Sequence, residues 1–158
     1  MPREQKPSLR QVSAQTAAGA TLSLDLARAA SLGQRFGLRL IVLFGSRAKG
    51  RPAPTSESDI DIAILGCPEG RFWDCYGELA EIVGEYSLDL VELEKADSLF
   101  RYEVMSDGVR LYGDPDLFFE YRAYAYKDFV DSADLRALED ALFRKKMVYL
   151  RQELHGSR

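Results

Sequence analysis

Histidine is almost missing from this chain of 158 residues; the only one is His155. Cysteine is scarce too, and the two present, Cys67 and Cys75, lack zinc-ligand spacing. Zinc sites built on His and Cys, Cys–His nucleophiles and Ser–His–Asp triads therefore have almost nothing to draw on. No apolar run approaches the roughly 18 residues of a membrane span. The start, Met1-Pro2-Arg3-Glu4-Gln5-Lys6-Pro7, shows no apolar signal-peptide core, so the cytoplasm is the expected compartment. Positive charge is not in excess: 21 Lys and Arg stand against 25 Asp and Glu, a net −4. That balance argues against holding duplex nucleic acid by charge alone. What is present is ordinary globular material, 46% hydrophobic and 29% charged, enough for one domain with a real core. Any chemistry has to run on carboxylates, hydroxyls and basic residues.

Along the chain, residues 1–20 read as a loose leader, with two prolines and a scatter of Ser, Ala, Gln and Gly. Thr21 or Ser23 is expected to cap a helix carrying Leu22, Leu26, Ala29 and Phe36, closed by Gly37. Leu38 to Phe44 predicts a strand buried on both faces, and Asp59 to Leu65 a second. A helix is expected over Phe72–Tyr86, with Phe72, Tyr76, Leu79, Ile82 and Val83 on one side and Trp73 in the core. Ser87–Leu93 reads as a third strand, Ser98–Met105 as a short helix and Val109–Tyr112 as a fourth strand. Helix follows from Pro115, restarting near Asp131 or Ser132. Its stripes are Leu117, Tyr121 and Tyr124, expected to cover the sheet, then Leu135, Leu138 and Leu142, then Phe143, Met147, Leu150 and Leu154. Strands alternating with helices predict an α/β (α+β) class with a small mixed sheet flanked by helices.

One constellation stands out. In a strand, side chains two apart share a face. Asp59 and Asp61 thus sit side by side, with Ile60, Ile62 and Ile64 on the opposite face. Two close carboxylates repel when both are ionised, and a hard divalent cation removes that cost. Gly45-Ser46 follows directly on the first strand. A turn there, with backbone N–H groups facing outward, favours an anion. Arg47, Lys49 and Arg51 add positive charge to the same loop. A phosphate cradle beside a metal site is what a nucleoside triphosphate with Mg²⁺ requires.

The Gly45-Ser46 pair and the Asp59-x-Asp61 pair, with Phe44 and Ile60 in the hydrophobic slots, resemble the signature of the DNA polymerase beta-like nucleotidyltransferase superfamily. Within it, LFGSRAKG followed by SDIDIAIL resembles the minimal nucleotidyltransferase (MNT) proteins, the MntA-type antitoxins paired with HEPN toxins. The resemblance implies a polymerase beta-like fold with three units: a flexible leader over 1–20, a nucleotidyltransferase core over 21–114, and a C-terminal helical segment over 115–158 packing on that core. A third carboxylate is expected on a neighbouring strand, and Asp89 in Leu88-Asp89-Leu90 fits, whereas Glu92 and Glu94 have the wrong parity.

The resemblance further implies transfer of AMP from ATP to a hydroxyl, assisted by two Mg²⁺ ions, with Mn²⁺ also accepted. Asp59, Asp61 and Asp89 would be the catalytic metal ligands. Gly45, Ser46, Arg47 and Lys49 would bind the nucleotide. The expected acceptor is a tyrosine on a separate HEPN toxin, since the HEPN pattern itself is missing here and His155 sits in a terminal tail. Two alternatives differ in class: an antitoxin that binds stoichiometrically with little catalysis, and a small-molecule, antibiotic-type nucleotidyltransferase. The assembly would be a hetero-oligomer or a homodimer, with no membrane and no duplex nucleic acid as partner.

Overall fold

The computed structural model describes residues 25–49, 59–84 and 87–156. Helix α1 (Leu26–Phe36) starts at Asp25, whose side chain accepts from the Arg28 N–H at 3.0 Å, and Gly37 closes it. The expected caps Thr21 and Ser23, Leu22 and the leader 1–20 lie outside the described residues. Then follow β1 (Leu40–Phe44), the five-residue α2 (Gly45–Lys49), β2 (Ile60–Leu65) and α3 (Phe72–Val83). The chain continues with β3 (Leu88–Glu92), α4 (Ser98–Asp107), β4 (Val109–Gly113), α5 (Pro115–Asp131) and α6 (Ala133–Gly156). No helix among the described residues is long and apolar enough to cross a membrane.

The sheet runs in the order β3-β2-β1-β4. Strand β1 is antiparallel to both β2 and β4, and β2 is parallel to β3, so the sheet is mixed as expected. Both faces are covered, which is why β1 and β2 read as near-continuous apolar runs. On one face Ile41, Leu43, Ile60, Ile62 and Ile64 pack against Leu32 and Phe36 of α1 and Cys75, Leu79 and Val83 of α3. Gly33 lets α1 settle on β4, since a β-carbon there would meet the Tyr112 ring at 2.4 Å. On the other face Leu40, Val42, Ala63 and Leu65 pack against Val104 and Met105 of α4 and Phe118 and Ala125 of α5.

Three expectations need correction. Trp73 is not a core residue; it is 75% exposed. The buried side of α3 runs through Cys75, Leu79 and Val83, and Trp73 falls off that line, its ring touching only the edges of Phe72 and Tyr76. Tyr124 does not cover the sheet. Leu117, Phe118, Tyr121 and Ala125 do, while Tyr124 lies outside under the Arg101 guanidinium, 5.6 Å from the ring centroid. Third, the segment 115–158 does not pack as a whole on the core. Helix α5 does, but Leu135, Leu138, Leu142, Phe143, Met147, Leu150 and Leu154 of α6 are all exposed. Ser132 ends α5, and α6 begins at Ala133.

Candidate functional site

The three aspartates come from adjacent strands on the α4/α5 side of the sheet. Ile60, Ile62 and Ile64 point into the α1/α3 core, so parity sends Asp61 to the opposite face with Ala63 and Leu65. Leu88 and Leu90 likewise point into the α1/α3 core, which turns Asp89 to the same face as Asp61. The parallel register then sets Asp61 directly opposite Asp89. Asp59 lies two residues before Asp61, just outside β2, and is exposed. On its other flank Asp61 faces Phe44 of β1 across the antiparallel ladder.

Gly45 explains how the carboxylate fits. Its φ is +70, a left-handed backbone conformation that glycine adopts without strain. A β-carbon there would stand 2.0 Å from Asp61 Oδ2 and 2.8 Å from its Cγ. The Asp61 carboxylate therefore rests against the bare Cα where β1 turns into α2.

Arg47 has a different placement from that of a solvent-facing phosphate ligand. It is 7% exposed, and its Nε donates to the Asp59 carbonyl at 3.2 Å. It ties α2 to the start of β2 and lends positive charge to Asp61. Lys49 reaches the other way, pairing with Asp107 at the end of α4 at 3.0 Å. Neither direction is readable from sequence, because a short loop between strands leaves the rotamers open.

Burial is the main cause that pushes the Asp61 carboxyl above the ordinary carboxylate range, followed by the charges of Asp89 and then Asp59; Arg47 opposes them. This is the repulsion that a cation would relieve. The donor set is oxygen only, which suits a hard divalent ion. Among the described residues no group of three acidic, His or Cys side chains is placed to hold a metal ion, the three aspartates included. What Asp61 and Asp89 share is one face of the sheet and one register.

Two aromatic residues border this set. Phe44 meets Phe100 of α4 edge to face at 5.7 Å. Beyond Asp89 along β3, Val91, Glu92, Lys95 and Phe100 help line a cavity of 340 Å³. Of the two rings, Phe44 is marked in the sequence by the slot before Gly45, and nothing marks Phe100. Glu92 and Glu94 are engaged elsewhere, Glu92 with Lys95 and Glu94 with the Gly66 N–H.

A family model described as polymerase beta, nucleotidyltransferase matches residues 30–116. No curated protein matches significantly. Among solved structures, a chain of a toxin–antitoxin crystallised with AMP-PNP is 25% identical, with a TM-score of 0.63, covering 76% of this chain and 99% of that one. A chain of a point variant of an MntA toxin–antitoxin complex is 26% identical, with a TM-score of 0.59, over 74% of this chain and 96% of that one. A third, from a tri-AMPylated Shewanella oneidensis HEPN toxin in complex with MNT antitoxin, shares the fold at 23% identity and a TM-score of 0.57, over 75% of this chain and 95% of that one.

Proposed function

The chain belongs to the polymerase beta nucleotidyltransferase family, and from that premise we propose that it transfers AMP from ATP to a hydroxyl on a separate HEPN-type toxin, and so acts as an antitoxin. The observation that carries this reading is Asp61 in register with Asp89 and seated against the bare Cα of Gly45. The solved neighbours add a direction: one is a toxin–antitoxin with AMP-PNP, and another holds a tri-AMPylated HEPN toxin beside an MNT antitoxin.

In this reading Asp59, Asp61 and Asp89 hold the divalent ions, Mg²⁺ or Mn²⁺. Bound there, such ions lower the pKa of the attacking hydroxyl and neutralise charge on the entering and leaving oxygens. The protein's own part is positioning and charge. Asp89 is the more exposed of the facing pair, and in this reading it is the one that takes the acceptor's proton. Gly45 and Ser46 present backbone N–H groups and a hydroxyl toward the triphosphate. Arg47 acts as a positioning residue, since its guanidinium is buried against the Asp59 carbonyl. Lys49 can reach a phosphate only by leaving Asp107. The division into a leader, a core over 21–114 and a helical segment belongs to the same proposal, and the cytoplasm is the compartment it implies.

The test is incubation of the purified chain with α-labelled ATP, Mg²⁺ and the product of the adjacent gene, followed by intact mass of both proteins. AMP added to the neighbour is expected, with Asp61→Asn slower by at least about 10²-fold, the scale of losing one charge-stabilising group. Wild-type rates in a folded Asp61→Asn protein would refute the assignment. A stable complex without transfer would instead favour stoichiometric neutralisation, and transfer to hydroxylated antibiotics alone a small-molecule enzyme.

A further inference from the structure

Helix α6 is the largest surface feature that the proposed chemistry leaves unused. It is 24 residues long, so it spans about 36 Å at 1.5 Å per residue. Its first turn is anchored: Arg136 Nη1 donates to Ser98 Oγ at 3.1 Å and to Ser132 Oγ at 2.7 Å, and the guanidinium lies over the Phe129 ring. Past that turn its large apolar residues face solvent, with Leu142 58% and Phe143 64% exposed. An exposed apolar face of this length marks an interaction surface.

The charges on the helix say what covers it. Asp134, Glu139 and Asp140 lie in the first half, and Arg144, Lys145, Lys146 and Arg151 in the second. None of these has an ion-pair partner among the described residues. The helix dipole favours acids at the start and bases at the end, but only within the first and last turns. It does not account for Glu139, Asp140 or the Arg144–Lys146 run, which sit mid-helix.

Leu135, Glu139, Leu142, Phe143, Lys146 and Leu150 recur at the spacing of a single helical face. Turn a second copy of that face end for end about a point between Leu142 and Phe143. Leu135 then meets the copy's Leu150, Leu142 meets Phe143, and Glu139 meets Lys146. A parallel arrangement would set Glu139 against Glu139 and Lys146 against Lys146. The surface is therefore self-complementary only under a two-fold axis, the requirement for an isologous dimer, and the central charged pair selects orientation as polar residues at helix interfaces do.

We propose that α6 pairs antiparallel with α6 of a second copy of this chain, so that the protein is a homodimer. The inference rests on α6 alone and stands or falls apart from the reading of the aspartate site. Sedimentation equilibrium of the full chain is expected to give twice the 17.8 kDa chain mass. Glu139→Lys and Lys146→Glu should each weaken self-association by at least about tenfold, because each sets like charges face to face. The double exchange should restore it. Leu142→Asp should give monomer with unchanged helix content by circular dichroism. A wild-type monomer throughout the micromolar range would overturn the proposal, including one in which α6 binds a different protein. Dimers indifferent to the single reversals, or unrescued by the double exchange, would overturn it too.

Discussion

A β-carbon on Gly45 would stand 2.0 Å from Asp61 Oδ2, at a backbone φ of +70. The two penalties differ in kind. The left-handed backbone costs about 1–2 kcal/mol for a residue with a side chain. The contact itself is relieved cheaply by swinging the carboxylate aside, but that moves the group the proposed chemistry depends on. Gly45→Ala is therefore expected to lose only about 1–2 kcal/mol of stability in urea unfolding. Transfer should fall by about 10²-fold, the typical cost of misplacing a reacting group by an ångström. A variant that loses stability but keeps its transfer rate would show that Asp61 need not sit against this glycine. Arg47 teaches a related point. Its charge beside Gly-Ser suggests a phosphate ligand, and its Nε also donates to the Asp59 carbonyl, a contact that sequence does not reveal.

Among the elements, the α4–α5 pair is fixed to the sheet by arginines. Arg101 pairs with Asp128 at 2.6 Å and donates to the Leu93 carbonyl at 3.0 Å and the Ala96 carbonyl at 2.6 Å. Arg122 donates to the Met105 carbonyl at 2.7 Å and the Gly108 carbonyl at 3.0 Å, closing the end of α4. Charge-assisted bonds of this sort contribute about 1.5–3 kcal/mol each when partly buried. Arg101→Met keeps the apolar stem but strips these bonds and the one to the Tyr124 hydroxyl, and should destabilise the fold by at least about 2 kcal/mol in chemical denaturation. A loss below half of that would mean water replaces the bonds at little cost. The bounds of these elements were largely readable. Pro115 opens α5 and Ser132 ends it, as turn and cap chemistry predicts. The packing side of α5 was not, because Tyr121 and Tyr124 fit a helical stripe as well as Phe118 and Ala125 do.

For the molecule as a whole, the ionised Asp61 carboxylate lowers stability in the absence of a cation. The folded Asp61 carboxyl titrates above its ordinary value of 3.8. The native state thus holds a proton that the unfolded chain has already released. Stability consequently falls as pH rises from the ordinary carboxylate pKa through the raised one, and the loss persists at neutral pH. Asp61→Asn should melt above wild type in metal-free buffer at pH 7, with the gap closing below about pH 4, where both carboxyl states are protonated. Adding Mg²⁺ or Mn²⁺ should raise the wild-type midpoint by binding the native state, and should raise that of the variant less. Scanning calorimetry with chelator and with metal checks both halves. An Asp61→Asn midpoint at or below wild type without metal would mean the carboxylate is not held against its neighbours' charge.

Sequence alone determined whatever depends on local spacing. The period-two alternation of Asp59-Ile60-Asp61-Ile62 sorts acids from core because strand side chains alternate. The Gly45-Ser46 step is visible because an apolar run ends there, and the near-absence of His and Cys removes whole classes of chemistry without any fold. Asp89 could be named as an acid between apolar neighbours, but not located. Only the tertiary structure made β2 and β3 parallel neighbours and set Asp61 opposite Asp89, since strand order is a matter of long-range packing that no local pattern encodes. The same holds for Trp73 and α6. Their apolar residues follow helical spacing whether the face meets a core, solvent or another chain, so periodicity reports that a face exists and only packing decides what it meets.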